Sequence, residues 1–333
     1  MRQIVLKQPG EFVAIEVARP ALQPGHALVR VRRIGVCGSD LHAFAGRQPF
    51  FSYPRVLGHE LGIEVLAVAP DGAAPADRPS IKPGDRCAVE PYLSCGTCRV
   101  CRRARYNCCE RLQVLGVHTD GGMLDVLSVP TRLLHKSDRL TCDQLALVET
   151  LGIGAHAVRR SELRPGEEVL VVGAGPIGLA VVQFALAASG KVRVLEMNPA
   201  RREFVKSLGV TASDAFDGQP AEVVFDATGN PSAMQESFQA VAHGGRLVFV
   251  GLVLGNIALD DPLFHRREMT LLASRNSCHE FPRIIRMIEE GRIDTKPWIT
   301  HRLVLGDVPR DFAALGGTPG LVKAMIEVDD VAR

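Results

Sequence analysis

Three groups of residues in this chain combine side-chain types and spacings that suit chemistry. The densest is "CGTCRVCRRARYNCCE", Cys95 to Glu110, with five cysteines and four arginines in sixteen residues. Cys95, Cys98 and Cys101 stand three residues apart, and Cys108 and Cys109 follow. Such spacing can turn a short loop around one ion, and four thiolates make a closed tetrahedral zinc site. Either Cys108 or Cys109 can supply the fourth sulfur. A ferredoxin-type cluster wants C-x2-C-x2-C-x3-C-P, and neither that spacing nor the proline is present. A redox relay is the minor alternative. With four thiolates no position is left for a substrate, so a zinc here reads as structural.

The second group is scattered: "GVCGSDLH" (Cys37, Ser39, Asp40, His42), "GHE" (His59, Glu60) and "ALVETLG" (Glu149). A thiolate, an imidazole and a carboxylate from separate loops make a mixed zinc site that can keep one coordination position open. Taken singly, each is ordinary: a cysteine after Gly-Val packs as a small hydrophobe. The third group is "GAGPIG", Gly173, Gly175 and Gly178 with Pro176 and Ile177 between them. It follows the apolar run "EEVLVV" and opens an Ala-rich stretch, the strand–turn–helix context that a dinucleotide loop requires. Gly173 permits the turn, Gly175 lets a pyrophosphate approach the backbone, and Gly178 lets helix and strand pack closely. Glu196 stands 21 residues after Gly175, near the ~20-residue offset of the acid that takes the ribose hydroxyls. A carboxylate there repels a 2′-phosphate, so NAD is preferred over NADP; Arg201 is the neighbour that would favour phosphate.

Elements must place these groups. The 333 residues suggest two domains, with 46% hydrophobic and 23% charged residues and a formal net charge of +2. That charge argues against a nucleic-acid partner, although Arg99, Arg102, Arg103 and Arg105 leave a zinc-knuckle binder as a rival reading. The opening "MRQIVLKQPG" lacks a secretory pattern, so a cytoplasmic protein is expected, with its clustered cysteines as metal ligands. The uncharged run from Val169 to Gly190 is long enough for a bilayer, but its glycines favour strand–loop–helix, and no membrane partner is expected.

Residues 1–145 read as β-rich, with strands at "HALVRVRRIGV" and "LGIEVLAVAP" and a solvated loop over 69–80. From about 146 strands and helices alternate: "EEVLVVG", "PIGLAVVQFALAAS", "KVRVLE", "PARREFVKSLG", "AEVVFDATG", a helix over "PSAMQESFQAVAHGG", then "RLVFVGL" and "MTLLASR". This is the pattern of an α/β, doubly wound parallel sheet. A helix at "FPRIIRMIEEG" and polar strand-like pieces close the chain, so a nucleotide domain (146–271) is expected inside a β-rich one (1–145 and 272–333).

Together these pieces resemble the zinc-dependent medium-chain dehydrogenases/reductases, on their sorbitol, threonine and sugar-acid side. "GVCGSDLH", "GHE", "GDRCAVEP", "CGTCRVC…CC", "DGG" and "GAGPIGL" run in the family's order over nearly the whole chain. "YPRVLGHE", "LGVHTDGG" and "ASRN" before "FPRIIRMIEEGRI" are most similar to bacterial oxidoreductases of the L-galactonate type. The resemblance implies a GroES-like catalytic domain with a structural zinc lobe, plus a Rossmann NAD-binding domain, with substrate between them. It implies two zinc ions per chain. Cys37, His59 and Glu60 would hold the catalytic one, with Glu149 binding directly or through water, and Cys95, Cys98, Cys101 and Cys109 the structural one. Ile177, Glu196 and Arg201 match the family's NAD contacts. Val250-Gly251-Leu252 and Ser274-Arg275-Asn276 match the nicotinamide end. Two departures stand out: Thr150 follows Glu149 where relatives carry proline, and "MLDVLSVP" replaces an aromatic run after "DGG".

The reaction implied is oxidation of a secondary alcohol, in a polyol or sugar acid, by hydride transfer to the dinucleotide. Ser39 would take the substrate proton and His42 pass it to solvent. Asp40 would orient His59, and Arg275 would bind a substrate carboxylate or the cofactor. His118 is a further candidate for contact with a polyol. A threonine or simple alcohol dehydrogenase and a non-enzymatic NAD-binding regulator are the alternatives. The family's assemblies imply a homodimer or homotetramer.

Overall fold

The structure is a computed structural model and describes residues 1–48, 51–70 and 79–329. Residues 71–78 of the loop expected over 69–80 lie outside them. Two compact units form, Met1–Glu149 with Phe281–Arg333, and Thr150–Glu280.

The first unit is organised by the strand His26–Gly35, in which Val29, Val31 and Ile34 are buried while Arg30, Arg32 and Arg33 between them are only half-buried. It pairs antiparallel with Glu60–Val68, Val126–Pro130 and Lys323–Glu327, at the centre of a seven-stranded sheet. Val29, Val31, Ile34, Leu61, Ile63 and Ile326 are all at most 1% exposed and fill one core behind it. Thus strands far apart in sequence meet on one frame. Its amphipathic helix Phe281–Glu289 buries Phe281, Ile284, Ile285 and Ile288, the three- and four-residue spacing of a helix stripe.

The second unit holds a six-stranded all-parallel sheet in the order Thr211–Ser213, Lys191–Leu195, Glu168–Val172, Ala221–Asp226, Val241–Phe249, Thr270–Ala273. Numbered by sequence that order is 3-2-1-4-5-6, the doubly wound arrangement for dinucleotides. Strand interiors such as Val169–Val172 are buried, as helix-covered parallel strands must be. The apolar run Val169–Gly190 is the first of these strands, the glycine turn and the helix Pro176–Ala187. Among the described residues no helix is long and apolar enough to cross a membrane.

Two elements differ from the sequence expectation. The helix expected over 231–245 is only Pro231–Glu236 with a 3-10 turn at Ser237–Ala240, and Val241 already begins a strand. The strand register shifts between Ala221↔Val241 and Val223↔Arg246, and Gly244, at φ 70°, takes up the irregularity. The helix Cys142–Ser161 has no counterpart in the sequence expectation. Leu145, Ala146, Leu147, Val148, Leu151, Ala155 and Val158 are all buried on it, which blurs the helical stripe.

Candidate functional site

The scattered chemistry converges beside the central strand of the first unit. Cys37 follows that strand and leads into the short helix Gly38–Phe44. Glu60 opens the neighbouring strand directly opposite Gly35, with His59 just before it. This pairing brings the Cys37 sulfur, a His59 ring nitrogen and a Glu60 carboxylate oxygen within 4.8 Å of one another. His59 and Glu60 are buried and Cys37 half-buried. Gly35 is required here, since a Cβ on it would lie 2.0 Å from Glu60 Oε2.

Asp40 ties the group locally. Its carboxylate accepts the Cys37 N–H at 2.8 Å, and its other oxygen faces His59 Nδ1 at 3.8 Å. Burial pushes the Asp40 carboxyl up despite His59. The same burial would lower the His59 imidazole, but Cys37 and Asp40 outweigh it and hold it well above the usual range. Glu149 stands beside the three rather than among them. Its Oε1 accepts from the Tyr92 phenol at 2.7 Å, and burial raises its pKa. Ser39 is half-buried and His42 exposed, three residues apart on one short helix and hence on one face of it.

The donors fit a zinc ion. A thiol, an imidazole and a carboxylate are the types that such a site uses. Glu60 Oε2 and His59 Nδ1 are buried without a hydrogen-bond partner, a state that costs energy unless something else satisfies them. Buried Asp40, Glu60 and Glu149 beside the Cys37 thiol outnumber the one buried lysine, Lys323 on Glu60, so a dication suits the charge of the group.

The cysteine-rich loop forms a separate cluster: Cys95, Cys98, Cys101 and Cys109 lie within 4.8 Å, with Cys108 outside the set. The sulfurs of Cys95 and Cys101 are 4.0 Å apart and those of Cys98 and Cys109 3.9 Å. Zinc–sulfur bonds of about 2.3 Å in a tetrahedron place sulfurs about 3.8 Å apart, so the four fit such an ion. N–H groups of Cys98 and Arg111 point at the sulfurs of Cys95 and Cys109 at 3.4 Å each. Thr97 and Cys98 N–H groups lower the Cys95 pKa to about 5.

In the second unit the glycine loop has the form its sequence implies. Gly173 sits at φ 90°, and a Cβ on Gly178 would collide with the Gly173 carbonyl. Pro176 begins the helix, where its missing N–H costs nothing, and Ile177 is half-buried beside it. A Cβ on Gly175 would meet only Arg201 Nη1, at 3.9 Å, so space remains over that backbone. Glu196 is 7% exposed, and its oxygens accept the N–H groups of Ala174 at 2.6 Å and Asn198 at 2.7 Å. Each oxygen retains a second acceptor direction. Val250 and Gly251 donate to the Asp226 carbonyl at 2.9 Å, and Leu252 beyond them is 70% exposed. Ser274 donates its N–H to Phe249 at 2.9 Å, Arg275 is exposed, and Asn276 takes a left-handed φ of 50°.

Four residues escaped the sequence reading. Lys323 meets Glu60 in the first unit, but it looks like an ordinary charge in "LVKAMIEV"; a lysine inside so apolar a run was the available clue. Gly35 carried the general signal of a glycine inside a strand, close backbone approach. Tyr92 left no signal. Asp226 is fully buried and holds Thr228 and Ser237, at the strand end where doubly wound sheets bind ligands.

Residues 23–139 match the family model of the alcohol dehydrogenase GroES-like domain, and residues 176–290 that of zinc-binding dehydrogenases. The chain is 42% identical to the L-galactonate-5-dehydrogenase of Escherichia coli (strain K12), with 91% of each chain covered. It is 32% identical to the 2-dehydro-3-deoxy-L-galactonate 5-dehydrogenase of Pseudoalteromonas atlantica, with 95% of each covered. A solved alcohol dehydrogenase from Escherichia coli CFT073, complexed with NADH, superposes with a TM-score of 0.90 at 28% identity, covering 98% of this chain and 99% of that one. The fold and these matches define a two-domain dehydrogenase, and the chain belongs to the zinc-dependent medium-chain dehydrogenase/reductase family. It is an oxidoreductase of that family's alcohol and polyol type, with a GroES-like and a Rossmann domain.

Proposed function

We propose that this enzyme oxidises a secondary hydroxyl of a linear sugar acid of the L-galactonate class, with zinc on Cys37, His59 and Glu60 and with NAD preferred over NADP. The observation that carries this reading is that three-residue cluster in a chain 42% identical to an L-galactonate-5-dehydrogenase. Zinc there supplies Lewis acidity that favours the deprotonated alcohol near neutral pH, and the dinucleotide accepts hydride. Glu149 supplements the three ligands from beside them. The chain's own residues manage the proton: Ser39 Oγ receives it from the substrate hydroxyl, and His42, exposed one turn further on, delivers it to solvent. Arg275, in the second unit, offers a guanidinium fork to a carboxylate or to the cofactor.

In the second unit Gly173, Gly175 and Gly178 seat the pyrophosphate. Glu196 takes the ribose hydroxyls, and its charge supports NAD over NADP. The residues Cys95, Cys98, Cys101 and Cys109 hold a structural zinc, making two ions per chain. A homodimer or homotetramer is also proposed, supported by the edge strand Thr270–Ala273, on which Leu271 is 41% exposed.

The test is NADH formation with a panel of aldonates, polyols and threonine. Galactonate-type acids should turn over fastest, and Cys37→Ala should abolish turnover while the four-thiolate site keeps its ion. Faster turnover of threonine or simple alcohols would overturn the substrate reading. Normal turnover by the Cys37 variant would overturn the metal assignment.

A further inference from the structure

We propose that Lys323 is a positioning residue for Glu60, and that through Glu60 it sets how tightly the Cys37–His59–Glu60 site keeps its metal. The proposal rests on the reading of Glu60 as a ligand. Lys323 Nζ donates to Glu60 Oε1 at 2.5 Å, and both side chains are only 1% exposed. The other oxygen, Oε2, is buried without a hydrogen-bond partner and packs against Gly35, where a Cβ would stand 2.0 Å away. The carboxylate is therefore held at one oxygen by an ammonium and confined at the other by backbone. It cannot turn away from Cys37 and His59 without breaking a buried ion pair.

The route by which the lysine arrives matters as much as the contact. Lys323 begins the strand Lys323–Glu327, which runs antiparallel to His26–Gly35 with Met325 opposite Gly35. The Val36 N–H donates to the Ala324 carbonyl at 3.0 Å, so the same strand pairing fixes the backbone on either side. One piece of sheet thus delivers the thiol of Cys37 and the ammonium that steers Glu60. An ammonium is kept in so dry a place only where a partner compensates it, and Glu60 is that partner. Hydrogen-bond partners of ligating groups typically change metal affinity 10–100-fold when removed.

The experiment loads the full-length enzyme with Co2+ and measures affinity by chelator competition, following each site by its cobalt–thiolate absorption. In Lys323→Met the Cys37 site should lose about 10–100-fold in affinity, while the four-thiolate site is unchanged. In a Glu60→Gln background the same lysine replacement should have no further effect. Unchanged affinity in Lys323→Met, alongside a loss in Glu60→Gln, overturns the proposal and leaves the ligand reading standing. Unchanged affinity in Glu60→Gln itself instead removes Glu60 as a ligand, and the proposal falls with it. Equal weakening of both sites also overturns it. Should Lys323→Met fail to fold, Glu60→Gln is compared with the double variant, in which both buried charges are gone. Equal Cys37-site affinities support the proposal, and a further loss overturns it.

Discussion

In the proposed preference for NAD, Glu196 would set the cofactor choice with a single carboxylate: its two oxygens hold backbone N–H groups of Ala174 and Asn198 and can still accept from a ribose. Replacing it with alanine removes that acceptor and the charge that repels a 2′-phosphate. Hydrogen bonds to a charged group are worth about 1.5–3 kcal/mol, so kcat/KM with NAD should fall roughly 10–100-fold in Glu196→Ala. With NADP the loss should be smaller, because Arg201 remains near the loop. The measurement is the ratio of the two efficiencies; an unchanged ratio would show that Glu196 only braces the turn. Glu196 was readable in advance because strand, turn and acid lie within one short stretch of chain. Cys95, Cys98 and Cys101 were readable for the same reason, whereas spacing left Cys108 and Cys109 open and only the family resemblance favoured Cys109, the one the structure groups with them.

Pairs of strands decide what a local pattern cannot. Gly35 and Glu60 are opposite one another only because His26–Gly35 and Glu60–Val68 pair in one register. Gly35→Ala should force the Glu60 carboxylate out of its place and cost about 1–3 kcal/mol in overpacking. Metal analysis should then find the Cys37 site depleted and the four-thiolate site full, with a lower urea midpoint. Full occupancy at both would mean that the strand can yield. Cys37, His59 and Glu60 could be named from sequence only through family resemblance, since the spacing between them carries no geometry. Lys323 left only its place in an apolar run as a clue, and Tyr92 left none. Each reaches its carboxylate through contacts between elements, 263 residues apart for Lys323 and Glu60. The helix at Cys142–Ser161 was obscured for a different reason: burial around much of its surface removes the stripe by which a helix is recognised.

At the scale of the molecule, the parallel sheet ends on Thr270–Ala273, which is short and exposes Leu271. A charge there should weaken self-association, so Leu271→Lys should shift mass by light scattering toward the monomer, with metal content unchanged. An unaltered mass would overturn the proposal that this edge joins subunits. The two metal clusters also differ in how much of the chain must be in place before each exists. Cys95 to Cys109 closes within fifteen residues, whereas Glu60 waits for a lysine near the other end of the chain. Short loops close at little entropic cost and long-range strand pairing is slow. When the denatured chain refolds with cobalt present, the thiolate lobe should acquire its ion first and the Cys37 site later. During synthesis that order would delay any loading of the Cys37 group until the strand Lys323–Glu327 has emerged.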